Sequence, residues 1–301
     1  MESMNALSSL TIIPAPLERG DRIMLAAPAR FVTEEQADAA VKFISEAGFV
    51  AVVPEGLLLR DGQFGGSDVH RAEVMNQGFA APDVKAIWVM RGGYGCARIL
   101  PLLNPEVFLR CPTWIIGFSD VTALHGWANR LGSATLHGPV ANTFASSLPK
   151  EQDVFWASLT ASHEAVQESK VVGGNLSVLF SLLGTPFFPE CSGNWLLLED
   201  LDEYLYHIDR MMLALRLAGV LDEVKGLLIG SFSDLRDNTI ADGQSSENPF
   251  GQSIEEIIRA HVPEGKPIDW NLPVGHGQKN VPVLFGVSWE QQKHHFALGK
   301  S

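Results

Sequence analysis

The chain has 301 residues, with 22 Lys and Arg against 35 Asp and Glu, a net charge of −13 with histidine neutral. Hydrophobic residues make up 46% and charged residues 19%, a globular composition sufficient for one large or two medium domains. The negative charge argues against a nucleic-acid binder, which needs a basic face, and against adhesion to an anionic membrane. Along the first half, strand and helix signals alternate. Arg22–Pro28 is a short apolar run of strand length. Thr33-Glu34-Glu35-Gln36 is a capping-box pattern, followed by apolar residues at helical spacing from Ala37 to Ala47 and a stop at Gly48. Phe49–Val53 reads as a second strand, and a Gly-rich loop follows over residues 61–66. Ser67 or Asp68 caps a helix to about Ala80. Val84–Met90 is a third strand entering Arg91-Gly92-Gly93-Tyr94-Gly95. Thr113–Phe118 is a fourth, entering Ser119-Asp120 and a helix to about Leu131, and Ala134–His137 is a fifth.

This rhythm, with near-continuous apolar strands, predicts an α/β fold with a parallel sheet covered on both faces. Residues 146–170 are polar and poorly periodic and read as a linker with one helix. The boundaries expected are therefore a first domain over 1–145 and a second over 171–301. In the second, Gly173-Gly174-Asn175 opens a short helix to Leu183, and Trp195–Leu198 is a strand ending in Glu199-Asp200. Tyr204–Ala218 is an apolar helix, Val224–Ser231 a strand, Asn238–Pro249 a polar loop and Ser253–Val262 a helix. Two strands are expected near Val281–Trp289 and His294–Leu298, which makes this half smaller and more β-rich.

Residues 1–10 carry an early acid, no basic segment and no apolar stretch of signal-peptide length, and no window reaches the length of a membrane span. Cys96, Cys111 and Cys191 are odd in number and far apart, which fits a reducing compartment and argues against a disulfide framework or a structural zinc site. A cytoplasmic protein is expected.

Four features could carry chemistry. Ser119 stands where an apolar strand turns into a helix, so its hydroxyl is held at the carboxyl edge of the sheet and the amide of Asp120 could hold an oxyanion. Gly117-Phe118-Ser119-Asp120-Val121 lacks the second glycine of a G-x-S-x-G elbow, and a plain helix cap is the competing reading. Arg91–Gly95 lets backbone amides approach an anion, or is only a tight turn. A Rossmann fingerprint would want glycine at position 98, which is Arg98. Glu199 ends an apolar strand, where a buried carboxylate needs a partner. His276, between Gly275 and Gly277, is either an ordinary loop residue or an imidazole presented to a substrate. A serine becomes nucleophilic when a histidine takes its proton and a carboxylate orients that histidine. Weaker candidates are His294-His295, His125 and His137, Cys96 and Cys111 as nucleophiles, and a cation site at Asp200, Asp202 and Glu203 beside Glu199.

Taken together, these segments resemble the LD-carboxypeptidase family, which includes murein tetrapeptide carboxypeptidases and microcin C7 self-immunity proteins. The matching residues are Arg91–Gly95, Ile116–Leu124, Gly173-Gly174-Asn175-Leu176, Leu197-Leu198-Glu199-Asp200 with Ile208-Asp209-Arg210-Met211, and Gly275-His276. The resemblance implies a flavodoxin-like first domain, a smaller β-rich second domain, a homodimer, and a triad of Ser119, Glu199 and His276. It implies no metal and no organic cofactor. The expected reaction is serine attack on the carbonyl before a terminal D-Ala of a muropeptide, in cell-wall recycling. The alternative keeps the triad and acts on a peptidyl- or aminoacyl-nucleotide. Asp120 and either Gly92 or Gly93 would hold the oxyanion. A carboxypeptidase must also bind a free carboxylate, for which a guanidinium is suited. Arg91 and Arg98 are candidates, with Arg210 behind them.

The charge is unevenly divided, with a net of −2 in residues 1–150 and −11 in 151–301. The expectation is that Glu199-Asp200 with Asp202-Glu203 forms an acidic wall for a substrate amine.

Overall fold

Strands covered on both faces need apolar residues at successive positions, and the apolar runs of the first half meet that condition. In the computed structural model, which describes residues 10–238 and 248–297, five of them become β1 (Arg22–Ala26), β2 (Val50–Val52), β3 (Val84–Val89), β4 (Trp114–Gly117) and β5 (Thr135–His137). They run parallel in the order β2-β1-β3-β4-β5, the flavodoxin-like arrangement, with the strand order reversing between β1 and β3. Alternate residues face opposite cores. Ile23, Leu25, Trp88 and Ile116 point to one side, and Met24, Ile87, Val89 and Ile115 to the other.

The first core is closed by α1 (Glu34–Glu46), whose Thr33 and Gln36 form the expected capping box. The second is closed by α2 (Asp68–Ala80), capped by Ser67, then α3 (Cys96–Ile99), α4 (Pro105–Arg110) and α5 (Thr122–Arg130). The segment read as a linker does carry a helix, α6 (Pro149–Thr160), and it is packed: Phe155 and Leu159 are fully buried against the α1 face, beside Trp88 and Phe144.

The second half builds its own parallel sheet. Its strands are β6 (Val171–Asn175), β7 (Trp195–Leu201), β8 (Gly226–Ser233) and β9 (Ile268–Asp269), in that order. The helices α7 (Leu176–Leu182), α8 (Leu205–Leu217), α9 (Val220–Glu223) and α10 (Ile254–His261) contribute to the core on one face. Asn175 caps α7 as expected, its side chain accepting from the Val178 amide, but Gly173-Gly174-Asn175 is also the end of a strand, β6, that the sequence did not suggest. Gly174 has φ +127°, and a Cβ there would lie 2.4 Å from Thr122 Oγ1. The glycine lets β6 dock on α5, where the Asn175 amide donates to Thr122 Oγ1 at 3.0 Å. Of the two last strands, only β10 (Val283–Phe285) forms, and it pairs antiparallel with β5 on the first sheet. The sheets therefore do not divide at a single point of the chain. Residues from 289 turn into α11 (Trp289–Gln292) and α12 (His294–Ala297), not a strand, as Phe296 folds back onto Trp289 with ring centroids 5.0 Å apart. Most of the expected 238–249 loop, the first nine residues and the end of the expected His294–Leu298 strand lie outside the described residues.

Candidate active site

The chain leaves β4 through Phe118 and enters a single 3₁₀ turn, Ser119–Val121, before α5. Ser119 has φ +64°, a left-handed conformation rare for a residue with a Cβ. A strained strand-to-helix turn of this kind presents a serine hydroxyl at the carboxyl edge of a sheet. His125, one turn into α5, lies beneath it with Nε2 2.9 Å from the Gly117 carbonyl. A carbonyl only accepts, so Nε2 carries the proton; burial holds this imidazole down to about 4, and it stays neutral.

The Arg91–Gly95 loop stands against this turn. A Cβ on Gly92 would lie 3.1 Å from Ser119 Cβ and 3.3 Å from its Oγ. Asp120 ties the two segments together in a way the sequence did not suggest. Its buried carboxylate accepts from the Cys96 amide at 2.8 Å, at the start of α3. Burial raises this carboxyl, and the hydrogen bonds from Cys96 and Gly95 oppose the shift.

Glu199 and His276 meet across 77 residues of sequence. Glu199 is fully buried near the end of β7, at a register shift between Leu198 and Asp200, an irregularity that re-aims a side chain. Its Oε2 is 2.7 Å from His276 Nδ1. The approach depends on Gly275 (φ +101°), where a Cβ would lie 2.4 Å from the same oxygen. The His276 loop is fastened to β8: Ser231 donates its amide to the Val274 carbonyl, and the Gly277 amide donates to Ser231 Oγ at 2.8 Å. Burial disfavours the imidazolium, but the hydrogen bond and charge of Glu199, with the charge of Asp200, outweigh it and raise His276 above its ordinary value. With Nδ1 committed to the carboxylate, Nε2 is the nitrogen left to accept a proton. The His276 ring packs on Phe118 with centroids 4.6 Å apart, one residue before Ser119.

The acidic run does not form an open wall. Asp200, raised to about 6 by burial, accepts from Asn175 Nδ2 and the Ser177 amide, each at 2.8 Å. Asp202 pairs with Arg236, and Glu203 with His207. All four carboxylates thus have internal partners. Among the described residues, no group of three or more His, Cys, Asp or Glu is placed to hold a metal ion. Cys96 is buried, which pushes its thiol well up, and Cys111 and Cys191 are also free thiols. His137 is buried behind Phe118 and also kept neutral by burial.

The three arginines read as carboxylate anchors fare differently. Arg91 is half-buried at the head of the glycine loop. Arg98 is engaged by Asp68 through Nε and Nη2 (3.0 and 2.7 Å). Arg210 is exposed on α8, its guanidinium 5.6 Å from the Tyr206 ring centre. Two arginines were overlooked. Arg71, only 2% exposed, donates to the carbonyls of Pro28 and Gly95 and pairs with Asp68, clamping two loops beside the site. Its signal was a basic residue inside the apolar stripe Ala72, Val74, Met75 of α2. Arg30 crosses Gly93, where an added Cβ would lie 2.3 Å from Arg30 Cδ; no local pattern marked it.

Known proteins match this arrangement over most of the chain. Residues 23–138 match the LD-carboxypeptidase N-terminal domain, and residues 168–290 the LD-carboxypeptidase C-terminal domain. A putative carboxypeptidase of Streptomyces coelicolor is 35% identical, covering 92% of this chain and 92% of its own. The murein tetrapeptide carboxypeptidase of Pseudomonas aeruginosa is 29% identical, covering 88% and 91%. The solved structure of MccF in complex with glutamyl sulfamoyl guanosine superposes with a TM-score of 0.77 over 92% of this chain and 96% of that one, at 20% identity, a likeness of fold. The chain belongs to the LD-carboxypeptidase family and is a serine-type carboxypeptidase.

Proposed function

We propose that the enzyme is an L,D-carboxypeptidase that releases the terminal D-Ala of murein tetrapeptides in cell-wall recycling, with Ser119, His276 and Glu199 as its triad. The observation that carries the reading is the 2.7 Å pair of His276 Nδ1 and Glu199 Oε2, packed on the ring that precedes Ser119. Ser119 Oγ attacks the carbonyl before D-Ala, and its proton passes to His276 Nε2. Glu199 fixes the tautomer and stabilises the imidazolium. The oxyanion is held by the amide of Asp120 and one from Gly92 or Gly93. His276 then protonates the leaving amine, and water, deprotonated by His276, cleaves the acyl-enzyme. The same reading takes the protein as a cytoplasmic homodimer, to be checked by light scattering and fractionation. The deciding experiment incubates the enzyme with the tetrapeptide and with an aminoacyl-nucleotide and measures the released amino acid. D-Ala release that is lost in Ser119→Ala supports the reading. Turnover of the nucleotide alone replaces the substrate, and full activity in Ser119→Ala removes the serine mechanism.

A further inference from the structure

The loops after β1 and β3 flank the point where the strand order reverses, the place where open α/β sheets bind ligands. The loop after β3 carries Gly92 and Gly93, and the loop after β1 carries Arg30. Arg30 is held there by an isolated bridge to Phe64, flanked by hydrogen bonds from the Gly65 amide to Ala29 and the Phe31 amide to Gln63. Its stem lies across Gly93: an added Cβ there would be 2.3 Å from Cδ, 2.6 Å from Cγ and 3.6 Å from Nε. By the same measure Gly92 touches Ser119. Adjacent α-carbons are about 3.8 Å apart, so the Arg30 side chain begins one residue beyond the serine along the proposed oxyanion loop.

Arg30 Nε is buried and has no hydrogen-bond partner. Among the described residues no carboxylate pairs with Arg30, whereas Arg71 and Arg98 share Asp68. A buried guanidinium nitrogen without an acceptor is unfavourable. Arg30 as a residue is only half-buried, so a carboxylate would be received at its terminal nitrogens, with the stem and Nε held against Gly93. In a terminal amino acid one carbon separates the scissile nitrogen from the carboxylate, so the anchor must stand close to the oxyanion amides. Arg30 meets that condition, Arg98 is already engaged, and Arg210 sits over Tyr206 on α8.

We propose that Arg30 binds the free terminal carboxylate of the substrate and thereby makes the enzyme select chain ends. The proposal rests on the carboxypeptidase reading above. The experiment compares release of the terminal residue from the tetrapeptide acid and its C-terminal amide by the wild type, Arg30→Gln, Arg30→Lys and Arg91→Gln. In Arg30→Gln, kcat/KM for the acid falls about 100-fold, mainly through KM, while that for the amide stays within about threefold. Arg30→Lys, which keeps the charge but not the fork, recovers part of the loss. Equal losses on acid and amide, or discrimination lost in Arg91→Gln and kept in Arg30→Gln, overturn the proposal. Binding of the same two peptides to Ser119→Ala, with and without Arg30→Gln, reads the anchor without turnover. If the wild type releases no D-Ala but this preference for the acid still depends on Arg30, the substrate reading falls and the anchor stands. If the binding preference is indifferent to Arg30, the anchor falls.

Discussion

Replacing Glu199 by Gln keeps the shape of the proposed triad and removes its negative charge. As His276 accepts the serine proton, a cation forms beside a carboxylate whose oxygen is 2.7 Å from Nδ1. Two unit charges centred about 4 Å apart attract by about 4 kcal/mol at an effective dielectric of about 20. At about 1.36 kcal/mol per factor of ten, losing that attraction lowers kcat by about 10³-fold. Stability responds differently. Glu199 is fully buried, and its Oε1 has no hydrogen-bond partner, so the wild type already bears the cost of an incompletely satisfied carboxylate. Glutamine relieves the buried charge but leaves an amide group without an acceptor, a cost of about 1–3 kcal/mol. The two effects oppose, and the denaturation midpoint stays close to that of the wild type. A third readout separates electrostatics from misfolding. Glu199 is the principal group raising His276, so the variant's kcat/KM profile has its midpoint at lower pH than the wild type's. The assay is D-Ala release across pH, alongside urea denaturation. A variant that keeps kcat within about threefold of wild type, with an unmoved midpoint, would falsify the role given to Glu199.

The wild-type profile follows from the same group: neutral His276 is the active form and its value is raised, so kcat/KM falls on acidification with a midpoint above 6.5; a flat profile between about pH 5 and 8 contradicts this. Gly92→Ala places a methyl 3.1 Å from Ser119 Cβ and should lower kcat about 10–100-fold by displacing the serine, with little change in melting temperature; unaltered kcat would separate the loop from the reaction. Gly174→Ala meets Thr122 Oγ1 at 2.4 Å in a left-handed conformation, whereas Gly20→Ala, also left-handed (φ +91°), meets nothing within 4 Å. Chemical denaturation should show a loss of about 2–5 kcal/mol for the first and about 1–2 for the second; equal losses would mean that β6 does not depend on this close approach.

The first sheet was legible because each of its five parallel strands is a short run bounded by a loop, and because covering both faces leaves little alternation to misread. Thr33 and Ser67 cap as read, since capping is decided by the next three residues. The failures share a cause. β6 ends in Gly173-Gly174-Asn175, a sequence of low strand propensity, and it is a strand because β7 pairs with it and Thr122 receives it. Phe155 and Leu159 looked like part of a polar linker until Trp88 and Phe144 supplied their neighbours. The turn at Phe296 is set by Trp289, and β10 owes its place to β5, about 150 residues earlier. Where a residue's partner is distant, local propensity does not decide its conformation.

The site divides along the same line. Ser119, Glu199 and His276 stand out as candidates because each sits at a local break, namely a strand end, a carboxylate in an apolar run and a glycine-flanked imidazole, and the family resemblance joins them into the proposed triad. The partners of the charged residues around them do not show in the sequence. The acidic segment suggested a charged wall, yet a carboxylate's role depends on what it faces: Asp200 faces Asn175 and Ser177, and Asp202 faces Arg236. Arginines show the converse. Arg98 and Arg30 are both single basic residues, and sequence spacing favours Arg98 because it stands three residues after the glycine loop, on α3. Folding gives Arg98 to Asp68 and leaves Arg30, its stem against Gly93 of that loop, with no acceptor at Nε. What distinguishes a binding arginine from a structural one is whether the protein has already satisfied it. That property belongs to the tertiary structure, and it separates two residues that composition and charge count alike.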